Sequence, residues 1–242
     1  MQTPDTPYLS VVLPIYNEEE SIPVLLSRIT AALDPVGKPY EIVCVNDGSS
    51  DSSLSLLQDA AGKNPRIRIV NFRKNHGQTA AFDAGFHAAR GEVVVTMDAD
   101  LQNDPADIPR LLEKMKDYDV VCGWRQKRND PWIRLFSSRI ANGVRNWLSD
   151  ETITDTGCSL KAFRREHLLR LKLFNGMHRF LPTLLKMEGC SVVEVPVSHH
   201  PRQYGVSKYG IGNRLFKGIY DLIAVRWMKK RYLAYRNDME IL

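Results

Sequence analysis

With 242 residues, of which 43% are hydrophobic and 25% charged, the chain can bury the core of a folded domain, which excludes a disordered tail. Residues 1–7 lack the basic and apolar segments of a signal peptide, and no run of 18 apolar residues occurs, so we expect no membrane-spanning helix. Residues 1–122 carry 11 Lys and Arg against 18 Asp and Glu, whereas residues 123–242 carry 22 against 10. The basic second half predicts an anionic partner, such as nucleic acid, acidic lipid or a phosphorylated small molecule.

Apolar runs of strand character alternate with helical patterns through the first half of the chain. In order they predict a strand over 9–15, a helix near 21–33, a strand over 40–46, a helix over 51–62, a strand over 67–72, a helix near 78–89, a strand over 92–97, a helix over 106–116 and a strand over 119–122. A further strand is predicted over 159–163, and residues 178–180 open a helical run. Repeated β–α units at this spacing predict an α/β fold with a mostly parallel central sheet and helices on both faces.

The strand predicted over 92–97 ends at two carboxylates one residue apart, Asp98 and Asp100, followed by Gln102. On an extended segment this spacing points both carboxylates to the same side, at the sheet edge where open α/β sheets bind ligands. Hard oxygen ligands of this kind suit Mg²⁺ or Mn²⁺ carrying a phosphate. Acidic residues are also ordinary turn residues, so the pair alone leaves both interpretations open.

Polar residues also follow the other predicted strands, at 14–18, 46–51 and 75–78. The carboxyl ends of parallel strands share one edge, so these loops should converge with the aspartate pair on a single crevice. Helix capping explains each loop separately, because Asp, Ser and Asn are favoured caps, and it stays the alternative.

Together these residues resemble glycosyltransferase family 2, the inverting enzymes with the Rossmann-like GT-A fold. Within it the chain is most similar to the branch of dolichyl-phosphate mannose synthases and bacterial polyprenyl-phosphate glycosyltransferases. The resemblance covers residues 9–209 and rests on a DxDxQ motif at 98–102 joined to an NDGSxD loop at 46–51. It implies a GT-A domain over 1–210 and a basic amphipathic helix or tail over 211–242.

The resemblance also implies roles for individual residues. Those implied to bind the donor nucleotide are Pro14, Tyr16, Glu18, Asp47, Gln78 and Asp98. Those implied to hold Mg²⁺ or Mn²⁺ on the donor diphosphate are Asp98, Asp100 and Gln102. Those implied to bind the diphosphate or the acceptor phosphate are Arg125, Arg139, Arg179, Arg202, Ser207 and Lys208. A solvated basic loop is the alternative for residues 196–209, which include Arg202, Ser207 and Lys208, and a strand end is the alternative for His199 and His200.

Asp155 and Arg125 are the residues that the resemblance places at the reaction. Asp155 occupies the position at which related enzymes are proposed to have a base or an acceptor-orienting carboxylate. A phosphomonoester has a second pKa near 6 and is already anionic near pH 7, so its oxygen hardly needs a base. We therefore expect Asp155 to position groups or complete the metal site, and a capping Asp in a turn is the alternative.

The implied activity is the inverting, metal-dependent transfer of a hexose from GDP-mannose or a UDP-sugar to polyprenyl phosphate. One alternative is a family 2 transferase with a soluble or glycan acceptor. Another is a non-catalytic membrane-associated subunit, against which the intact aspartate pair argues. We expect no nucleic-acid partner, because the basic half has no recognised nucleic-acid module. A separate membrane subunit or a homo-oligomer stays possible.

Two segments have the pattern of helices that lie in the membrane interface. Residues 131–149 place aromatic and aliphatic residues on one face and arginines on the other, and residues 211–223 carry an apolar stripe that ends at Lys229, Lys230 and Arg231. Core packing produces the same stripes and is the alternative. The sequence predicts a peripheral protein at the inner face of the cytoplasmic membrane.

The four cysteines agree with a cytosolic compartment. Cys44, Cys122, Cys158 and Cys190 are far apart and form no CxxC pair. Reduced structural cysteines are therefore expected, rather than disulfides or zinc ligands.

Overall fold

The computed structural model describes residues 6–125, 153–202 and 211–233, and of 211–219 it gives the backbone alone. The strands are β1 (Leu9–Ile15), β2 (Tyr40–Asn46), β3 (Ile67–Asn71), β4 (Val93–Thr96), β5 (Val120–Arg125), β6 (Lys161–Arg164) and β7 (Val192–Val197). The helices are α1 (Ile22–Leu33), α2 (Ser53–Lys63), α3 (Gln78–Ala88), α4 (Ile108–Lys114), α5 (Arg165–Leu168), α6 (Leu181–Met187) and α7 (Ile211–Arg231). Short 3₁₀ turns occupy Asp34–Val36, Pro105–Asp107 and Met177–Phe180.

The strands form one sheet in the order β3-β2-β1-β4-β6-β5-β7. Strand β6 runs antiparallel to both of its neighbours, and the other described strands run in one direction. The prediction of a mostly parallel sheet is thereby confirmed. The carboxyl ends of β1, β2, β3, β4 and β5 lie along the same edge, and that edge carries the polar loops.

The sheet has a hydrophobic core on each face because its central strands are buried on both sides. Along β1, Val11 and Leu13 belong to the core under α1, whereas Val12 belongs to the core under α3. Helix α1 begins with a proline in its first turn and buries apolar residues spaced three and four apart against the first face. On the second face Gly85 brings α3 so close to β1 that a Cβ would overlap Val12. Helices on both faces are thus confirmed.

Several predicted elements differ from the observed ones in their bounds, and neighbouring residues explain two of these differences. The helix expected over 106–116 is a 3₁₀ turn followed by the shorter α4, because Asp104 caps the turn at Ala106 and Pro105 starts it. The strand expected over 119–122 continues to Arg125, because β7 pairs with it along its whole length. Strand β7, which carries a glutamate and a proline, was not predicted.

The C-terminal helix α7 exposes an apolar face. Tyr220, Ile223 and Trp227 lie three and four residues apart and are 76%, 55% and 63% exposed, while Val225 is fully buried. None of the helices in the described part of the chain combines the length and the apolar character that a bilayer crossing requires. The segment predicted to be interfacial at 131–149 lies outside the described residues, as do Arg139, Ser207 and Lys208.

All four cysteines are buried, and no disulfide joins any of them.

Candidate active site

The polar loops at the carboxyl ends of β1 to β5 surround a cavity of about 450 Å³. Every residue predicted to bind the donor nucleotide or the metal lies in its wall, together with two of the predicted phosphate-binding arginines. The lining residues are Pro14, Ile15, Tyr16, Glu18, Asp47, Asn75, Gln78, Asp98, Ala99, Asp100, Gln102, Arg125, Gly157 and Arg202. The convergence expected from the parallel sheet is therefore present in the structure.

The loop after β1 is held in place by the loop after β2. The backbone N–H of Asn17 donates to Ser49 Oγ at 3.0 Å, and the Asn17 side-chain oxygen accepts from the Ser50 N–H at 2.8 Å. Asn17 has a left-handed backbone with φ +51°, a conformation that Asn tolerates better than most residues. Glu18 is anchored through its N–H to Ser53 Oγ at 2.9 Å. These contacts present the 38% exposed ring of Tyr16 at the cavity.

Asp47 organises the loop after β3. Its buried carboxylate accepts from the Asn75 side chain at 2.9 Å, from the His76 N–H at 2.7 Å and from the Gly77 N–H at 2.9 Å. Gly48 follows with φ +65°, and a Cβ there would overlap the backbone of Lys74. Asp47 therefore lies in the wall predicted for it, but most of its bonding capacity is engaged by protein groups.

Asp98 and Asp100 lie side by side beneath the cavity. Gln78 Nε2 donates to Asp98 Oδ1 at 2.6 Å, and the Gln102 N–H donates to Asp100 Oδ1 at 3.2 Å. Loss of water around Asp98, and then the charge of Asp100, raise the pKa of Asp98 from its ordinary value to about 6. Leu101, which lies between Asp100 and Gln102, has φ +61° and is fully buried, so the turn is fixed by packing.

The donor set fits a divalent cation. Burial and the neighbouring charge of Asp100 raise the pKa of Asp98, so a bound cation would stabilise the two ionised carboxylates, and Gln102, whose side chain carries an amide oxygen, lines the same cavity. Arg202 closes the group, because its Nη2 donates to Asp100 Oδ2 at 2.8 Å. Its Nη1 has no hydrogen-bond acceptor among the described residues and lies 4.0 Å from Glu18 Oε1. Arg202 itself lines the cavity, so its guanidinium lies close to any anion bound there.

Asp155 and Arg125 form a two-point ion pair. Arg125 Nε lies 2.7 Å from Asp155 Oδ2, and Arg125 Nη2 lies 2.9 Å from Asp155 Oδ1. Asp155 is 8% exposed, and Glu194 on β7 holds its loop by accepting from the Thr154 and Asp155 N–H groups. A carboxylate paired with a guanidinium is a weak base. The geometry therefore suits positioning better than proton removal.

Sequence reasoning missed Glu194 and Lys161. Glu194 interrupts the apolar run 192–197, and Lys161 interrupts the strand-like run 159–163, so each charge inside a buried segment was the available signal. Arg179 was predicted to bind phosphate, and it lies in the wall of a smaller cavity on the other side of Asp98. His200 Nε2 lies 3.0 Å from Asp104 Oδ2, and His199 pairs with Asn103 in a β-bridge, as the strand-end interpretation expects.

A GT-A type sheet with a carboxylate pair and arginines at its carboxyl edge defines a nucleotide-sugar-binding class of protein. The model of the family "Glycosyl transferase family 2" matches residues 10–172, and the chain belongs to this family.

Two curated relatives are similar over most of this chain. One is an undecaprenyl-phosphate 4-deoxy-4-formamido-L-arabinose transferase of Edwardsiella ictaluri, 42% identical over 218 residues, which are 89% of this chain and 67% of that protein. Another is a dodecaprenyl-phosphate galacturonate synthase of Rhizobium johnstonii, 40% identical over 232 residues, 93% of this chain and 68% of that protein. The chain thus spans about two thirds of their length.

Solved structures share the fold at low sequence identity. A mannosyltransferase from Pyrobaculum calidifontis in complex with GDP-Man and Mn²⁺ has a TM-score of 0.61 at 20% identity, covering 98% of this chain and 77% of that one. A glucosyl-3-phosphoglycerate synthase from Mycobacterium tuberculosis with Mn²⁺, UDP and phosphoglyceric acid has a TM-score of 0.68 at 18% identity, covering 93% and 78%. These likenesses establish the GT-A architecture of the described chain.

Proposed function

We propose that this protein transfers a sugar, with inversion, from a nucleotide-diphosphate sugar to a polyprenyl phosphate. The observation that carries the proposal is the cavity in which the Asp98 and Asp100 carboxylates face Arg202 and Arg125. Both curated relatives are named as transferring a sugar to a polyprenyl phosphate, which supports this acceptor. A hexose on GDP or UDP is the proposed donor class.

The donor would lie across the mouth of the cavity. Tyr16 offers an exposed ring face for the base, and Glu18 beside it offers hydroxyl-binding oxygens. Asp98, Asp100 and Gln102 would hold Mg²⁺ or Mn²⁺, which when bound neutralises charge on the departing nucleoside diphosphate. Arg202, which lines the cavity, would donate to a phosphate oxygen.

The reaction needs no covalent bond to the protein. An oxygen of the acceptor phosphate forms a bond to C1 of the sugar while the bond from C1 to the diphosphate oxygen breaks, so the nucleoside diphosphate leaves with the electron pair. The acceptor is largely ionised near pH 7, so no proton has to be removed from it. The Asp155–Arg125 ion pair would hold Arg125 at the cavity, where its guanidinium orients phosphate oxygens.

The surface of α7 supports the proposal that the protein binds to a membrane surface. Its exposed apolar face includes Tyr220, Ile223 and Trp227 and is followed by Lys229, Lys230 and Arg231. Aromatic residues beside a cationic cluster match the boundary between acyl chains and anionic headgroups. We infer peripheral binding at the cytoplasmic face, with residues 1–210 as the catalytic domain and 211–242 as the membrane-binding segment.

A substrate screen tests the proposed function. Purified protein is incubated with GDP-mannose, UDP-glucose, UDP-N-acetylglucosamine or UDP-galacturonate, with and without undecaprenyl phosphate and Mn²⁺. We expect release of one nucleoside diphosphate that requires both the lipid and the metal. Release that needs only a soluble acceptor would instead support a family 2 transferase with a soluble or glycan acceptor.

A further inference from the structure

A second, smaller cavity of about 90 Å³ lies directly beside the active-site cavity. Gln78, Asp98 and Gly157 line both, so the two spaces adjoin at the predicted metal site. A whole-ligand site usually measures roughly 300–1,000 Å³. The small cavity therefore suits one substituent of the ligand rather than a sugar ring.

One wall of this cavity is a buried ammonium group. Lys161 is 3% exposed, and its Nζ donates to the carbonyl oxygens of Thr156 at 3.3 Å and of Cys158. An ammonium has three N–H donors, and no described residue accepts the third. The charge of Lys161 acts on Asp98, the one carboxylate in the wall of this cavity. A divalent cation bound to Asp98 would neutralise that negative charge, and the buried ammonium would then lack an anionic partner at this cavity.

His178 supplies a second donor with a fixed orientation. The Gly176 N–H donates to Thr79 Oγ1 at 2.9 Å, and Thr79 Oγ1 lies 2.7 Å from His178 Nδ1. The Thr79 hydroxyl proton has no other described acceptor, so we assign it to the bond with Nδ1, which places the ring proton on Nε2. Burial and then the cations Arg179 and Lys161 lower the pKa of His178 to about 3, which keeps the ring neutral.

We propose, building on the proposed function, that this cavity is a pocket for an anionic oxygen group of the substrate, read by Lys161, His178 Nε2–H and Arg179. Donors dominate its wall, and the one carboxylate there, Asp98, belongs to the metal site. Two groups of the reactants have this chemistry: a carboxylate at C6 of a uronic acid donor, and the phosphate of the acceptor. The donor carboxylate is favoured, because the cavity adjoins the metal on which the donor diphosphate would lie.

Titration calorimetry without the acceptor lipid tests whether the small cavity binds the carboxylate of a uronic acid donor. The probes are UDP-galacturonate against UDP-galactose, UDP-glucuronate against UDP-glucose, and GDP-mannuronate against GDP-mannose, each with Mn²⁺. For the nucleotide that the protein prefers, we expect the uronate to bind at least tenfold more tightly than its neutral partner. His178→Phe and Lys161→Met should each reduce this advantage to threefold or less while leaving the affinity for the free nucleoside diphosphate within twofold of wild type.

Further variants separate recognition from folding. Thr79→Val removes the proton that fixes the tautomer and should give an intermediate loss of discrimination, whereas His87→Ala on the exposed side of α3 should change nothing. Where Lys161→Met lowers the melting temperature strongly, His178→Phe, which preserves ring size, carries the test alone. An unchanged ratio in a folded His178→Phe protein would exclude the donor carboxylate.

Steady-state kinetics with undecaprenyl phosphate test whether the small cavity binds the acceptor phosphate instead. A KM for this lipid that rises at least fivefold in His178→Phe, with equal binding of each uronate and its neutral partner, would assign the pocket to the acceptor phosphate. Equal binding together with an unchanged KM overturns the proposal. Failure of the proposed function has a different signature, because the wild-type protein would then release no nucleoside diphosphate from any donor.

Discussion

The carboxylate of Asp155 faces a guanidinium that occupies both of its oxygens. This pairing places a guanidinium against a buried acidic residue next to the candidate active site, and we propose that Asp155 holds Arg125 in position. A residue that acts through another affects the reacting geometry more than it affects binding of the donor.

We predict that Asp155→Asn lowers kcat by roughly 10²-fold and leaves the dissociation constant of the sugar nucleotide within about twofold of wild type, because small misplacements of an orienting group have effects of this size. Steady-state kinetics and calorimetric titration of the donor measure the two quantities. A large loss of donor affinity would place Asp155 in the nucleotide or metal site instead.

His178 makes the stability of the protein sensitive to acid. Its pKa is lowered from 6.5 to about 3 by burial and neighbouring cations, so the unfolded chain binds a proton near pH 6 that the folded chain does not. The stabilisation due to the neutral ring is complete above pH 6.5 and decreases as the pH falls toward 3, by about 1.4 kcal/mol per pH unit. In His178→Gln this contribution is absent. Urea unfolding at pH 7.0, 6.0 and 5.0 should show that the free energy of unfolding falls more steeply with decreasing pH for wild type than for His178→Gln. The same pH dependence in both proteins would contradict a neutral, buried His178.

At the scale of elements, the loop between β2 and α2 depends on one glycine. Gly48 has a left-handed backbone, and its missing side chain lets Lys74 approach, so that Asp47 can bind the loop after β3. Gly37 has nearly the same φ, +69° against +65°, but has open space around its Cβ position. The two glycines therefore separate backbone strain from steric overlap.

We predict that Gly37→Ala lowers the free energy of unfolding by about 1 kcal/mol, from the left-handed backbone alone. Gly48→Ala should lower it by at least about 2 kcal/mol and also weaken nucleotide binding, since the loops around Asp47 must separate. Chemical denaturation and titration with UDP and GDP measure both effects. Equal losses for the two variants would show that the contact with Lys74 is unimportant.

Substitutions in helix α7 can separate membrane binding from folding, because neighbouring positions differ in exposure. Ile223 and Trp227 are exposed, whereas Val225 between them is fully buried. Ile223→Glu with Trp227→Glu should therefore leave the melting temperature nearly unchanged, while Val225→Glu should unfold the helix from the domain.

Wild-type protein should sediment with liposomes rich in anionic lipid, and the double variant should not. Salt should weaken the binding of the wild-type protein, because basic residues contribute about 1 kcal/mol each near the surface and are screened beyond about 10 Å at 0.1 M salt. A wild-type protein that ignores anionic liposomes at low salt would contradict direct membrane binding and favour recruitment by a separate membrane subunit.

At the scale of the whole molecule, the parallel sheet determines where the candidate active site lies, and this location was predictable from the sequence. Strands β1 and β2 have the predicted bounds because strands buried on both faces appear as continuous apolar runs with polar ends. The shared edge follows from parallel pairing, and it places residues as distant in sequence as Tyr16 and Gln102 in one cavity wall.

What the sequence could not predict depends on long-range pairing. The insertion of β6 between β4 and β5 in reverse direction is set by pairs of residues 39 to 71 positions apart in the chain, which no local pattern encodes. That insertion places Lys161 beside Asp98 and forms the second cavity. The role of Glu194 was likewise not predictable, although its charge inside an apolar run was a signal, because it binds residues 154–155 only when β7 joins the edge of the sheet.

The central claim is metal-dependent sugar transfer to a polyprenyl phosphate by the Asp98–Asp100 cavity, and analysis of the lipid product tests it most directly. Undecaprenyl phosphate, the preferred sugar nucleotide and Mn²⁺ are incubated with wild type, Asp100→Asn or the exposed control Asp117→Asn, and the organic extract is analysed by mass spectrometry. Wild type and Asp117→Asn should add one sugar per lipid for each nucleoside diphosphate released. Asp100→Asn should form at least about 10²-fold less product with a similar melting temperature, because a charged metal ligand is lost. Undiminished product from a folded Asp100→Asn protein, or nucleotide release without a glycosylated lipid in wild type, would contradict the account.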